Sequence, residues 1–500
     1  MNQHARLTAT EHLATASPSL PRQIAWKTAV SAWRSTRLFA FFLLLIAIVV
    51  GGHLRFHRLA RFDMSGDEGA SWAAASAPSA QQVALIERRL DPGKLALYDV
   101  MLHEWIGIFS DSLFAMRAMS AALGTIAIVL VFVVVREVCR SLADESAASI
   151  AELAGAFAAL LYATNLQMVL SDRVVRMYPL VMCAELLQIT CFVRAQRRGG
   201  MLNYVGIALF TAMMVATNFT SMFLIAAEAL WLGWLLLATL WDAQSRRLAV
   251  FRPGCALAAG IAILLFWLPG AFASSRGAVK WGAIDWIKLQ PISWPYTTLR
   301  TSTGNDTLFW IFVALAAFGV WRQWRSAKLV VEFVALWMAG PILAVMAVTY
   351  LIHPLEFPRY VLVSFVGMFA FAALGAASVR STALRIMLVA ALMYLSVRPV
   401  HDSVRHSDDA AWRDATLLAA QRTTRGEQVL VFPPWCINVV RFYMPRDRRD
   451  AAVAMKDECS QAPVLILSGR GVAPDKRVAA AEACYPRVIE KLNLVEVRAR

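Results

Sequence analysis

Apolar residues along this chain gather in blocks close to the length a helix needs to cross the hydrocarbon core of a bilayer, about 20 residues. The blocks fall at 38–54, 119–135, 149–166, 179–193, 202–217, 221–240, 255–272, 307–321, 330–352, 360–378 and 384–398, which predicts about eleven transmembrane helices. The basic residues lie between the blocks. An N-terminal set (Arg6, Arg22, Lys27, Arg34, Arg37) is followed in alternate connections by Arg136/Arg140, Arg194/Arg197/Arg198, Arg246/Arg247/Arg252, Arg322/Arg325/Lys328 and Arg380/Arg385. Short basic loops on one side are what the positive-inside rule expects. The N-terminus is therefore read as cytoplasmic, and an odd number of spans puts the C-terminus outside. The first apolar run starts late and lacks a small-residue cleavage site, so it is expected to be the first span, not a signal peptide.

The polar intervals define the rest of the organisation. Residues 1–37 form a cytoplasmic segment, 38–398 a membrane domain with a large outer loop at 55–118, and 399–500 a soluble module. Within the first loop, Leu95–Ser110 is apolar but carries Asp99, His103 and Glu104 after Lys94, and reads as an interfacial helix. A second outer loop, 273–306, carries Trp281, Trp286, Trp294 and Tyr296, a density suited to headgroup level. In the C-terminal module an amphipathic helix is expected near 409–424, with Trp412, Leu417 and Leu418 on its apolar side. Strand-like runs follow at Val429–Phe432, Val464–Leu467 and Leu492–Val497, a small α/β domain.

Composition changes the picture only by excluding alternatives. The 500 residues are 59% hydrophobic and 17% charged, against roughly half and a quarter in a soluble globular chain. Disorder, a disulfide scaffold and an ordinary cytosolic enzyme are excluded. The net charge of +15 does not point to nucleic acid, because the basic residues follow the span pattern. Alanine- and arginine-rich usage suggests a bacterial inner membrane. Three cysteines, Cys436, Cys459 and Cys484, fall in the outer module, where one bridge such as Cys459–Cys484 is allowed. Cys139, Cys183, Cys191 and Cys255 lie in or beside spans without metal-ligand spacing and suit apolar packing.

Several constellations carry chemistry. Asp67-Glu68, within Ser65-Gly66-Asp67-Glu68-Gly69, follows the first span. A carboxylate there is a candidate general base or divalent-cation ligand, with the glycines permitting close approach; taken alone, the dipeptide fits a solvated acidic turn better. Asp172 and Arg176, in the stretch that ends Arg176-Met177-Tyr178-Pro179, are four apart and share a face of any interfacial helix there. Arg176 suits a lipid phosphate, or a plain interfacial anchor. Arg359-Tyr360 follows a turn stiffened by Pro354 and Pro358. Glu185 and Glu228 lie inside spans and need partners there; interhelical hydrogen bonding is the favoured reading. His53 and His57 are read as interfacial residues, not a zinc site.

The order of these motifs, an Asp-Glu pair in the first outer loop, Arg-Met-Tyr before the fourth span and Arg-Tyr opening a late span, resembles the GT-C glycosyltransferases. It is closest to the branch of protein O-mannosyltransferases and the lipid A aminoarabinose transferase. Glu104-Trp105, the run Ala115-Met116-Arg117-Ala118-Met119-Ser120-Ala121-Ala122-Leu123-Gly124, and Trp412-Arg413-Asp414 extend the resemblance over most of residues 38–470. Two places depart from that branch. A His-Pro-Pro-Leu-Tyr-like stretch is replaced by Asp91-Pro92-Gly93-Lys94-Leu95-Ala96-Leu97-Tyr98, which makes Lys94 a phosphate-binding candidate. Val174 stands where relatives often have an acid, and Asp172 is the candidate substitute.

What the resemblance implies is an inverting transfer of a sugar from a polyprenyl-phosphate carrier to a hydroxyl or phosphate of a glycan, lipid or protein acceptor, outside the membrane. Asp67 is then the base and Glu68 a supporting or metal-binding group, with a divalent ion as a candidate cofactor. Arg176, Arg359 and Lys94 hold the donor phosphate, supported by Asp172, Tyr178 and Tyr360. A flippase or transporter of such a lipid is the alternative, although no internal repeat of the kind transporters show is visible.

Overall fold

The computed structural model describes residues 20–90, 95–142, 150–239, 244–264, 288–355, 358–406, 411–424, 426–453, 463–468 and 488–493. The chain opens with α1 (Leu20–Phe56), and three short helices follow: α2 (Gly66–Ala75), α3 (Ala80–Leu90) and α4 (Leu97–Phe109). The bundle continues with α5 (Leu113–Leu142), α6 (Ala151–Thr164), α7 (Leu166–Asp172), α8 (Tyr178–Arg198), α9 (Met201–Thr217), α10 (Met222–Thr239) and α11 (Gln244–Ile263). Then come α12 (Trp294–Ser302), α13 (Asp306–Gln323), α14 (Lys328–Leu351), α15 (Leu362–Ser378) and α16 (Thr382–His406).

Among the described residues seven helices are long and apolar enough to span, or up to nine if the bent pairs α6–α7 (64°) and α12–α13 (107°) each count as one. Two further runs of the sequence count correspond, among the described residues, to shorter apolar helices: α9 (202–217) and the Val250–Ile263 part of α11; the rest of the run 255–272, from 265 on, lies outside the described residues. Lys94, Trp281, Trp286 and Glu356 lie outside the described residues.

Burial sorts helices that hydropathy alone leaves equivalent. The stretch Pro358–Ser378, containing α15, is 94% buried over its apolar window, whereas the windows of α1 and α16 are 28% and 17% buried. α15 is thus the central helix, and α1 and α16 face lipid. On α1, Ala40, Leu43 and Ala47 pack inward, and Phe41, Phe42, Leu45 and Val49 point outward. Where α6 breaks into α7, Asn165 restores the backbone hydrogen bonding: its Oδ1 accepts from the Met168 N–H at 3.2 Å and its Nδ2 donates to Ser302 O at 3.2 Å. That satisfies the requirement that irregular backbone at depth be covered by protein. Glu185 accepts from Ser221 Oγ at 3.0 Å, and Glu228 from Gln188 Nε2 at 2.8 Å. Both are interhelical hydrogen bonds.

The C-terminal module comprises α17 (Trp412–Arg422), β1 (Gln428–Phe432), α18 (Ile437–Tyr443), β2 (Ala452–Val453), β3 (Val464–Ser468) and β4 (Val488–Asn493). Its sheet is all parallel in the order β2-β1-β3-β4, with Val429 beside Leu465 and Val431 beside Leu467. Two expectations need correction. β4 starts at Val488, not Leu492, because pairing with β3 recruits Glu490 and Lys491, whose polarity hides the strand from a pattern of apolar residues. On α17 the buried side is Trp412, Ala415, Thr416, Ala419 and Ala420, and Leu417 is exposed. Cys436 is a buried free thiol, and Cys459 and Cys484 lie outside the described residues.

A buried ion pair closes the end of the bundle at which α1 and α7 finish. Arg55, near the end of α1, donates from Nε to Asp172 Oδ2 at 2.8 Å and from Nη1 to Gly51 O and Ala163 O, both at 3.0 Å. Neither side chain of the pair is more than 3% exposed. Gly124 on α5 makes room for it, since a Cβ there would lie 2.3 Å from the Asp172 carboxyl carbon. Arg173 then donates to the carbonyls of Leu54, Arg55, His57 and Arg58, capping the end of α1. Arg55→Ala leaves the Asp172 carboxylate buried without its cation and is expected to cost about 3–5 kcal/mol. Thermal unfolding in detergent tests this, and an unchanged melting temperature would reject the load assigned to the pair.

Candidate active site

Asp67 and Glu68 are neighbours at the start of α2, and helix geometry sends them in different directions. Ser65 is the N-cap. Its Oγ accepts from the Glu68 N–H at 3.3 Å, while Glu68 Oε2 accepts from the Ser65 N–H at 2.9 Å, a reciprocal capping box. One position earlier, the Asp67 side chain faces outward and is 56% exposed. Its negative charge suits the positive end of the helix.

Glu68 is 1% exposed. Oε1 accepts from Arg117 Nε at 2.8 Å and the Val175 N–H at 2.9 Å, and Oε2 from Arg117 Nη2 at 2.8 Å and the Ser65 N–H. Arg117 directs its remaining N–H groups to Leu59 O, Phe62 O and Asp63 O at 2.9–3.0 Å. All five donors of the guanidinium and all four acceptor positions of the carboxylate are therefore used. Burial alone would raise the Glu68 carboxyl, but the Arg117 hydrogen bonds and charge more than offset it and hold it below the usual range. This corrects the sequence reading of Glu68 as a metal ligand or chemical partner, because it has no lone pair left to offer.

Two distant segments converge on Asp67. Arg359, in a single 3-10 turn (Pro358–Val361) that leads into α15, donates from Nη1 to Asp67 Oδ2 at 3.0 Å. Its guanidinium lies 5.6 Å from the centre of the Tyr178 ring. Arg176, 5% exposed, donates from Nη1 to the Asp67 backbone carbonyl at 3.2 Å. Tyr178 opens α8, with Pro179 behind it in the first turn. Tyr360 is half-buried in the same turn as Arg359. The motifs of Asp67, Arg176-Met177-Tyr178 and Arg359-Tyr360 thus form one cluster.

Asp172 is not part of it. The shared helix face with Arg176 does not exist, because α7 ends at Asp172 and residues 173–177 turn before α8. Its carboxylate is 2% exposed and engaged by Arg55. Lys94 falls outside the described residues. No group of three or more His, Cys, Asp or Glu side chains converges among the described residues. Among the described residues of the cluster, Glu68 is saturated, and Asp67, flanked by Arg359 and Arg176, is the carboxylate with acceptor positions left open.

The sequence reading left out Arg117, Arg55, Arg173 and Trp435. Arg55 and Arg117 border apolar runs, where a charge requires a partner, and that was the available signal; Arg173 lies between two runs and had none. Trp435 had none either. It is brought in by the C-terminal module, which docks on α2 and the loop before it. A Cβ at Gly69 would lie 3.0 Å from the Val439 nitrogen, so only glycine allows this approach. Trp72 meets Phe442 edge-on at 5.3 Å, Tyr443 Oη accepts from the Met64 N–H at 2.9 Å, and Asp63 Oδ2 accepts from the Arg413 N–H at 2.9 Å. Trp435, 68% exposed, and the Cys436 thiol both stand beside Gly66. Burial, then the Asp67 charge, pushes that thiol up to about 12, so it stays protonated at neutral pH.

This helical bundle with its outer loop helices and small α/β module has the fold of the GT-C membrane glycosyltransferases. The ArnT of Cupriavidus metallidurans bound to undecaprenyl phosphate superposes with a TM-score of 0.55 at 11% identity, over 91% of this chain and 89% of that one. The Archaeoglobus fulgidus oligosaccharyltransferase in complex with Zn and sulfate gives 0.55 at 13% identity, over 82% of this chain. The Archaeoglobus fulgidus oligosaccharyltransferase AglB in complex with an inhibitory peptide and a dolichol-phosphate gives 0.53 at 12% identity, over 81% of this chain. The match covers 62% and 63% of those two archaeal chains. No family model and no curated protein sequence matches the chain.

Because the Glu68 carboxyl is depressed in the fold, its contribution to stability is complete above its unfolded value of 4.5 and is lost as pH falls through the lower folded value. Glu68→Gln is expected to lower stability by about 3–5 kcal/mol at neutral pH. The gap between wild type and variant should narrow below pH 4.5 as the wild-type carboxyl protonates. Melting curves from pH 7 to 3 measure it, and a gap independent of pH would contradict the assignment.

Proposed function

We propose that the chain is an inverting glycosyltransferase that moves a sugar from a polyprenyl-phosphate carrier to an acceptor hydroxyl at the outer face of a bacterial inner membrane. The observation that carries this reading is the convergence on one exposed carboxylate, Asp67, of two arginines from remote segments, in a fold whose solved examples include complexes with undecaprenyl phosphate and dolichol-phosphate.

In this reading Asp67 takes the proton of the acceptor hydroxyl as its oxygen forms a bond to the anomeric carbon. The bond from that carbon to the carrier phosphate breaks on the opposite side, and the electron pair leaves on the phosphate. Arg359 and Arg176 stabilise the charge that develops there. A phosphate monoester leaves as an anion without prior protonation, so one base suffices where a glycosidase needs two carboxylates. In the resting site Arg359 bonds Asp67; a donor phosphate competes for that guanidinium and releases the carboxylate. Exposed Trp435 offers the acceptor an apolar platform on the other side of Gly66.

The test is transfer of radiolabel from polyprenyl-phosphate sugars to a membrane extract by the purified protein. Asp67→Asn is expected to lower turnover by roughly 10²–10⁴-fold with an unchanged size-exclusion profile. Equal turnover by wild type and variant removes Asp67 from the chemistry. Absence of transfer from every donor, with translocation of the same lipid between leaflets, favours a transporter instead.

Trp435→Ala is expected to raise the acceptor KM roughly tenfold with little change in kcat, the signature of lost uniform binding. A fall in kcat at constant KM would place the indole elsewhere in the cycle.

A further inference from the structure

The end of the bundle remote from Asp67 carries a second concave site. A cavity of about 1140 Å³ is lined by Trp321, Arg322, Trp324, Arg325, Arg380 and Arg385, with Gln323 and Ser378 joined at 3.2 Å in its wall. The central helix fixes its depth. Arg359 stands just before α15 and Ser378 ends it, and twenty residues at 1.5 Å each span about 30 Å, one hydrocarbon thickness. The cavity and the Asp67 cluster therefore open at opposite membrane faces.

The arginines here differ from the other basic residues at the same end. Across the bundle, Glu137 is held by Arg136 at 2.9 Å and by Arg194 at 3.1 Å, and Glu152 bonds Arg140 and lies 3.5 Å from Arg37. Around the cavity, Arg322, Arg325 and Arg380 are exposed and none is paired with a carboxylate among the described residues. Arg385 is pinned through Nε to Val379 O at 2.7 Å. The neighbouring Glu332 is engaged by Lys328 at 3.5 Å. Four guanidinium groups thus line one concavity that no described carboxylate enters. Trp321 and Trp324, 71% and 49% exposed, mark the rim as headgroup level, where indoles settle between lipid and water.

We propose that this cavity binds the phosphate-bearing headgroup of an anionic phospholipid of the leaflet opposite the active site. Guanidinium forks pair with phosphate oxygens bidentately, and basic pockets between membrane helices are suited to such headgroups. A lipid is favoured over a soluble phosphate compound because the arginines and the exposed indoles share one rim. Acyl chains can then lie along the helices while the phosphate enters.

The test is native mass spectrometry of the full chain released from nanodiscs of phosphatidylethanolamine doped with cardiolipin or phosphatidylglycerol. The wild type is expected to retain the anionic lipid selectively, and Arg322→Ala/Arg380→Ala to retain it at least about tenfold more weakly. Arg322→Lys/Arg380→Lys should keep part of the affinity. Arg198→Ala/Arg252→Ala, which removes the same charge from other exposed positions, should bind like wild type. Equal retention by wild type and the cavity variant overturns the proposal. So does an equal loss in the Arg198/Arg252 control, which would mean general surface charge, and so does displacement of the lipid by inorganic pyrophosphate at equal concentration.

Discussion

The end of the bundle that carries Asp67 depends on one fully saturated ion pair. Arg117 and Glu68 use every hydrogen-bonding position they have, and their partners lie in four places: the loop after α1, the N-cap of α2, the start of α5 and the turn before α8. A buried pair is not in general more stable than apolar residues of the same volume. What it supplies here is register. The carbonyls of Leu59, Phe62 and Asp63 cannot all meet one guanidinium unless the loop has a single path, and that path places Asp67. Arg55 with Asp172, and Arg173 on the end of α1, repeat the device one layer deeper.

The division of labour within Asp67-Glu68 follows from helix geometry. Consecutive helical residues project about 100° apart, so when the N3 carboxylate turns back into the capping box the N2 carboxylate must face out. The C-terminal module exploits the same short helix. Gly69 admits the backbone of α18, Trp72 meets Phe442, and Arg449 covers the Trp72 ring at 5.0 Å. The carboxylate that Arg359 bonds therefore has Trp435 beside its chain neighbour Gly66, although Arg359 and Trp435 are far apart in the chain.

Much of this was legible in the sequence because a bilayer is a demanding solvent. Each apolar run, as far as its residues are described, falls on a helix or a bent helix pair, and the α/β character of the tail showed in Val429–Phe432 and Val464–Leu467. The convergence of Asp67, Arg176 and Arg359 was readable only through the resemblance, since nothing local in those segments links them. The misreadings share one cause. Assigning Asp172 to the face of Arg176 assumed a helix that in fact ends at Asp172. Reading Glu68 as a ligand overlooked Arg117, forty-nine residues away, because a polar residue's partner across the fold leaves no mark on spacing. Lipid-facing and core-facing helices also read alike, so the central place of α15 was visible only in three dimensions.

The charge distribution ties the two ends of the bundle together. At the Asp67 end five described arginines each have a protein acceptor: Arg117 has Glu68, Arg55 has Asp172, Arg173 has the end of α1, Arg176 the Asp67 carbonyl, and Arg359 the Asp67 carboxylate. Of these, only the Arg359–Asp67 bond joins two side chains that are both substantially open to solvent, at 37% and 56%. An exposed pair of this kind contributes little to stability, about 0–1 kcal/mol, so separating it costs little when an anion with stronger claims on the guanidinium arrives. The buried pairs are costly to break. Among the described ion pairs around Asp67, the contact with Arg359 is thus the one that the proposed donor phosphate would open at least cost.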